Sequence, residues 1–219
     1  MMRLGIIGAG RMGTALAHAL DDAGVPTALC TARYDHGPAV DLPPDCTPAT
    51  LDTVLRHTGP VLLALPFPVA IGLISGPAGR CGGGRTLIDA TNPGFCRDRV
   101  VPPGLSGGEL IAAAATGWRT VKAFNTVAAE HLGATRIGGG TVTLPVAGPA
   151  DAKPLVFDLA RGLGFDPLDV GGIESSREME ALAVLMARVS AAHDLHGRIG
   201  VRIAELDRSP VGRGVDVAG

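Results

Sequence analysis

The stretch Arg3-Leu4-Gly5-Ile6-Ile7-Gly8-Ala9-Gly10-Arg11-Met12-Gly13-Thr14-Ala15-Leu16 decides the fold. Leu4 to Gly8 is a short apolar run that reads as a buried strand. Thr14 to Ala23 reads as a helix, stopped by Gly24. Between them stands Gly8-x-Gly10-x-x-Gly13. The first glycine permits a tight turn, the second lets backbone approach a pyrophosphate, and the third lets helix and strand pack closely. The helix start adds free N–H groups and the positive end of its dipole. This strand–loop–helix unit predicts a dinucleotide site, with Gly8, Gly10, Arg11, Met12 and Gly13 around the phosphates.

The end of the second strand, Thr27 to Cys30, selects the dinucleotide. An NAD site usually places Asp or Glu there to bind the ribose 2′-hydroxyl. Here Thr31-Ala32-Arg33-Tyr34 follows, with no acid before Asp35. The Thr31 hydroxyl and the Arg33 guanidinium suit a 2′-phosphate instead, since arginine can donate two parallel hydrogen bonds to it. The expected cofactor is NADP(H).

Further out, short apolar runs alternate with helical stretches, the pattern of a Rossmann-type, doubly wound, mostly parallel sheet in an α/β fold. Val61–Leu65, Thr86–Ala90 and Thr120–Phe124 read as strands, and Thr50–His57, Val69–Ser75 and Glu109–Thr116 as helices. The segment from His36 to Pro48, rich in Pro and Asp, reads as loop. Thr141–Ala147, Asp151–Gly162 and Pro167–Val170 add a strand, a helix and a strand. From Ile173 to about Ile203 an apolar stripe predicts one long helix through Met179, Leu182, Met186, Val189, Leu195, Ile199 and Ile203. Roughly 30 residues at ~1.5 Å each would span ~45 Å, a length that favours packing across a homodimer boundary. The expected organisation is a nucleotide domain over residues 1–148, a C-terminal extension over 149–206, and a disordered tail over 207–219.

Composition limits the function classes. Of 219 residues, 46% are hydrophobic and only 3% aromatic, so the core must be aliphatic. A formal net charge of −2, with one Trp and one Tyr, provides neither a basic field nor stacking platforms for nucleic acid. The four cysteines are scattered without metal-ligand spacing, which fits reduced thiols and no metal site. There is no secretory leader pattern and no apolar run near the ~20 residues of a membrane span, so a soluble cytoplasmic protein is expected.

The glycine loop and Thr31-x-Arg33 together resemble the NADPH:coenzyme F420 (8-hydroxy-5-deazaflavin) oxidoreductase family. So do Leu63-Ala64-Leu65-Pro66, Ile88-Asp89-Ala90-Thr91-Asn92-Pro93 and Val121-Lys122-Ala123-Phe124-Asn125-Thr126-Val127. Pro167-Leu168-Asp169-Val170-Gly171-Gly172, followed by Arg177 and Glu180, extends the resemblance to nearly the whole chain. It implies a Rossmann domain with a small C-terminal extension, acting as a dimer, with nicotinamide and deazaflavin stacked in a cleft. Asn125-Thr126-Val127-Ala128 would line the place where the two rings meet. Hydride transfer between two such cofactors depends on proximity and orientation rather than on a strong protein acid or base. No nucleophile elbow or carboxylate dyad is present.

Individual candidates follow. Asn125, at the C-terminal edge of the sheet, is placed to hydrogen-bond a substrate carbonyl or the nicotinamide amide, the alternative being a turn-forming Asn. Leu65 and Pro66 should contact the cofactor backbone. Asn92 and Pro93 should shape the ribose–nicotinamide end of the cleft, or else initiate a loop. His193 is a candidate for lining the substrate site, with His196 three residues on; either could donate a proton to a reduced carbonyl or imine, or lie at the surface. Three functions remain open: hydride exchange with F420 as second substrate, NADPH-dependent reduction of a small ketone or imine, and non-catalytic NADPH binding. The opening residues also resemble pyrroline-5-carboxylate reductase, which favours the second of these.

Overall fold

A computed structural model describes residues 3–30, 41–57, 59–96 and 101–205. Six parallel strands form the main sheet: β1 (Leu4–Ile7), β2 (Thr27–Cys30), β3 (Cys46–Pro48), β4 (Val61–Leu63), β5 (Thr86–Asp89) and β6 (Arg119–Lys122). They lie in the order β3-β2-β1-β4-β5-β6. Ile7 pairs with Cys30 on one side and with Leu63 on the other. The chain therefore winds outward twice from β1, and the crevice at this reversal is where open α/β sheets bind ligands.

Strand residues alternate between two aliphatic cores, one on each sheet face. Leu4, Ile6, Leu62, Ile88 and Val121 meet α1 (Arg11–Asp22) and α5 (Lys153–Gly162) on one side. Ile7, Val61, Leu63 and Leu87 meet α2 (Leu51–Arg56), α3 (Phe67–Ile74) and α4 (Gly107–Ala114) on the other. Both faces are covered, which is why these strands read as nearly continuous apolar runs. Past the sheet, β7 (Arg136–Ile137) and β8 (Gly140–Thr141) make a short hairpin, and β9 (Thr143–Val146) pairs in parallel with β10 (Asp166–Asp169). A single antiparallel bridge, Lys122 with Ala147, joins this unit to β6.

Several expectations are corrected. Cys46–Pro48, expected as loop, adds the outer strand β3. The strand expected over Thr141–Ala147 divides into β8, which serves the hairpin, and β9, which serves β10. The C-terminal helix, α6, covers Ser176–Ala192 after a 3-10 turn at Ile173–Ser175, 17 residues rather than about 30. It ends because Asp194, His196 and Gly197 all take left-handed backbone, with the Gly197 N–H donating to Ser190 Oγ at 2.8 Å. Leu195, Ile199 and Ile203 therefore leave the helix, and the chain returns to β9. There Thr143 N–H donates to Val201 O at 2.8 Å, and Ile203 N–H to Thr143 Oγ1 at 3.0 Å. At ~1.5 Å per residue the helix is ~26 Å long, so its length alone no longer argues for a second subunit. The tail expected over 207–219 lies outside the described residues.

The start of α4 carries a capping box, with Ser106 Oγ accepting from Glu109 N–H and a Glu109 carboxylate oxygen accepting from Ser106 N–H. Arg177 Nε on α6 donates to the same carboxylate at 2.8 Å, and holds the Glu109 carboxyl down at about 2. A depressed carboxyl stabilises the fold above its unfolded value of 4.5, and the contribution disappears as pH falls towards about 2. Arg177→Gln should consequently lower the melting temperature at neutral pH, and the gap from wild type should close across that acid window. A gap that stays constant through the window would show that the contact is not ionic.

Candidate active site

At the end of β1 the chain is held on both sides: Gly8 N–H donates to Cys30 O at 2.8 Å and Ala64 N–H to Ile7 O at 2.9 Å. Gly8 has a φ of 121°, and a Cβ there would run into the Ala64 carbonyl. At Gly13 a Cβ would strike the Gly8 carbonyl, so this glycine is what seats α1 against β1. At Gly10 a Cβ would have nothing within 4 Å. Gly10 is the extended residue before α1, with no side-chain cap and no acid in the first turn. The helix thus offers unspent N–H groups and an uncompensated dipole to open space, a cradle fitted to a pyrophosphate.

Around this cradle, Met12 packs partly into the core, and the exposed Arg11 guanidinium pairs across the crevice with Glu130. Leu65 and Pro66 follow β4; Leu65 packs on the second core and Pro66 precedes α3. Thr31 and Arg33 lie outside the described residues.

At the ends of β5 and β6 two amides tie three segments together. Asn92 Nδ2 donates to Asn125 O at 3.1 Å, and Asn125 Nδ2 donates to Met179 O on α6 at 3.1 Å. Their Oδ1 atoms and Thr91 Oγ1 are buried with no hydrogen-bond partner. Buried acceptors of this kind are rare unless a ligand or ordered water completes them. Pro93 opens a 3-10 turn through Phe95. Phe124, just before Asn125, has a φ of 65°, a strained conformation for a bulky residue.

Asn125, Thr126, Val127 and Ala128 form one wall of a pocket of about 320 Å³. Ala183, Met186 and Ala187 on α6 form the facing wall, with Phe95 at the mouth. Asp194 and His196 also line it. His193 does not: it follows the last turn of α6 and is exposed, and His196 takes the place expected for it because the chain reverses at Asp194. The three non-glycine residues with left-handed backbone among the described residues, Phe124, Asp194 and His196, all border this pocket or adjoin its wall. No cluster of potential metal ligands is present among the described residues.

Behind the wall lies a charged cluster that inspection of the sequence did not anticipate. Lys122 Nζ contacts Asp89 Oδ2 at 3.0 Å, Thr91 O at 2.7 Å and Glu180 Oε1 at 2.9 Å. Asp89 and Lys122 side chains are fully buried and that of Glu180 is 9% exposed. Two carboxylates against one ammonium leave an excess negative charge. Glu180 meets it by accepting Gly107 and Gly108 N–H at 3.0 and 2.9 Å, at the positive end of α4. The cluster fastens β5, β6, α4 and α6 together directly beneath Asn125. The one sequence signal was a Lys and an Asp in strands that otherwise read as buried.

Comparison with known proteins agrees with this geometry. Residues 3–93 match the family model described as NADP oxidoreductase, coenzyme F420-dependent. A candidate F420-dependent NADP-reductase from Arthrobacter sp. FB24 superposes with a TM-score of 0.80 at 26% identity, over 94% of this chain and 100% of that one. The hypothetical protein SMa0349 from Sinorhizobium meliloti gives a TM-score of 0.68 at 30% identity, over 80% and 88% of the two chains. The metalloreductase STEAP3 of Rattus norvegicus is 34% identical over 99 residues, which is 45% of this chain but only 20% of that longer protein. No described helix is long and apolar enough to cross a membrane. With the family model over the glycine loop and the first five strands, and a 30%-identical relative matched along most of both lengths, the chain belongs to the coenzyme F420-dependent NADP oxidoreductase family.

Proposed function

We propose that this protein exchanges hydride between NADP(H) and the deazaflavin coenzyme F420. The observation that carries the reading is the pocket between Asn125–Ala128 and α6. It is walled by Val127, Ala183, Met186 and Ala187, and it adjoins the nicotinamide end of a Rossmann crevice. An apolar slot of this kind suits a flat ring laid against another ring. NADP(H), when bound, supplies or receives the hydride.

The chain's own residues bind and orient. Gly8, Gly10, Arg11, Met12 and Gly13 hold the pyrophosphate, and Leu65 and Pro66 contact the cofactor beside it. Thr31 and Arg33 confer the preference for a 2′-phosphate. Asn92 and Pro93 shape the nicotinamide end. Asn125 already spends its Nδ2 on Met179 O, so its free Oδ1 serves as an acceptor, suited to the N–H of a carboxamide or of a ring. Thr126, Val127 and Ala128 keep the two rings in contact and exclude water. Residues 1–148 hold the nucleotide and 149–206 supply the far wall. Exposed Leu185 and Val189, one helical turn apart on α6, support a homodimer through that helix, and four free thiols fit a reducing cytoplasm.

His196 and Asp194 at the pocket favour a second reading, reduction of a small ketone or imine with His196 as proton donor. The test is to follow the nicotinamide and deazaflavin absorbance bands together, with and without F420. Loss of both bands at matching rates is the expected result. NADPH binding without F420 turnover would transfer the assignment to carbonyl or imine reduction. Binding without turnover by any acceptor would leave only a nucleotide-binding role.

A further inference from the structure

The groups around the nicotinamide end of the crevice share one electrical sign. Behind the wall, the two carboxylates of Asp89 and Glu180 and the one ammonium of Lys122 sum to one net negative charge. Lys122 Nζ spends its donors on Asp89 Oδ2, Thr91 O and Glu180 Oε1, so none is left to face the crevice. The N-terminus of α4 offsets part of the excess through Gly107 and Gly108 N–H, but a helix end amounts to only about half a unit of positive charge. The cluster lies close behind both amides: Thr91 precedes Asn92, Lys122 stands three residues before Asn125, and Glu180 follows Met179, whose carbonyl holds Asn125. In front of it, Asn92 Oδ1 and Asn125 Oδ1 are buried acceptors without donors, and Asn125, only 6% exposed, lines the pocket. The described residues lining that pocket include one acid, Asp194, and no Lys or Arg.

We propose that the buried charge of Asp89, Lys122 and Glu180 makes this site prefer the oxidised, cationic nicotinamide, and so strengthens NADPH as a hydride donor. Loss of hydride breaks the C4–H bond, passes one proton and two electrons to the acceptor carbon, and leaves the ring with a positive charge. A negative interior that water screens little stabilises that cation more than the neutral reduced ring. Tighter binding of the oxidised form than of the reduced form lowers the potential of the bound couple, and each tenfold difference in affinity is about 30 mV. The favoured direction is then reduction of the acceptor, whether that is a deazaflavin or a carbonyl or imine carbon. The three residues are charge-setting and positioning groups, acting through their field and through Asn125. The proposal rests on reading the Asn92–Asn125 end of the crevice as the nicotinamide site, and not on which acceptor is used.

Calorimetric titration with NADP+, NADPH and 2′-phospho-ADP-ribose, which lacks the nicotinamide, tests this without any turnover. Wild type should bind NADP+ more tightly than NADPH. Glu180→Gln and Asp89→Asn each bring the cluster to zero net charge, and each should lower that preference about tenfold while 2′-phospho-ADP-ribose binds as before. Lys122→Met/Asp89→Asn keeps one net negative charge (one carboxylate, no ammonium). It should hold the preference within about threefold of wild type in spite of its lower stability. A preference that follows charge and not melting temperature is a result that a purely structural role does not produce. A preference unmoved in a folded single variant, or moved as far in the double variant as in the singles, would overturn the proposal. So would wild type holding NADPH as tightly as NADP+ or more so, whatever the variants do. If in that case both still bind more tightly than 2′-phospho-ADP-ribose, the nicotinamide site stands and only the charge effect falls. Equal affinity for all three ligands would instead remove the nicotinamide from this end of the crevice, and the proposal with it.

Discussion

Gly10→Val should abolish NADPH binding while leaving the protein folded. Gly10 has φ −88° and ψ −171°, extended backbone that valine adopts without strain. A Cβ there meets nothing within 4 Å, so no protein atom must move. Losing glycine at the start of α1 costs less than about 1 kcal/mol. The added methyl groups stand in front of the α1 N-terminus, in the space where a pyrophosphate must approach the N–H groups. A loss of at least about 100-fold, or ~2.7 kcal/mol, is expected for NADPH and NADH alike. Gly13→Ala should behave in the opposite way: its methyl strikes the Gly8 carbonyl, so the melting temperature falls whether or not nucleotide is present. Isothermal titration together with thermal unfolding separates the two cases. NADPH affinity within about threefold of wild type in Gly10→Val would place the pyrophosphate elsewhere.

This contrast also shows what kind of information a sequence carries. Gly8, Gly10 and Gly13 are legible because their spacing falls within one short turn, although the carbonyl that Gly8 must clear, that of Ala64, comes from the next strand's end. The aliphatic runs were equally plain, since Ile6 and Ile7, or Leu62 and Leu63, face opposite cores and both faces are covered. Asn125 was found by its place at the end of a strand, in a sheet whose binding edge is known once its topology is.

The end of α6 was not legible, for a definite reason. Leu195, Ile199 and Ile203 continue the apolar spacing of the helix, but periodicity reports which residues avoid water, not which backbone brings them there. After Asp194 the chain returns to Thr143 instead, where Leu195 and Ile199 are half-buried and Ile203 is exposed. The signals against a continuous helix were Asp194, Gly197 and Gly200, each a poor helix former. They outweigh the stripe because Ser190 and β9 satisfy the backbone groups that the helix gives up. The misplacement of His193 follows directly, as it would point inward only if the helix went on.

Lys122→Met should be the most damaging substitution to stability. The ammonium meets three oxygens, and it is all that separates the Asp89 and Glu180 carboxylates within the interior. Methionine fills nearly the same volume, so no cavity contributes. What remains is two buried carboxylates, one tied to Thr91 N–H and one to Gly107 and Gly108 N–H, with no cation between them. Breaking a buried pair this way costs about 3–5 kcal/mol. That is a large part of the ~5–15 kcal/mol that holds a domain of this kind together. Lys122→Met/Asp89→Asn should recover part of the loss, because the amide can still accept from Thr91 N–H and carries no charge. Urea unfolding of the single and double variants measures both steps. A loss under about 1 kcal/mol, the scale of an exposed pair, or a double variant no better than the single, would show that Lys122 is not balancing the two acids. The cost is also a functional one. Asn125 stands three residues beyond Lys122, and Glu180 follows Met179, whose carbonyl holds Asn125. The charges that stabilise the sheet therefore also set the distance between the two walls of the pocket.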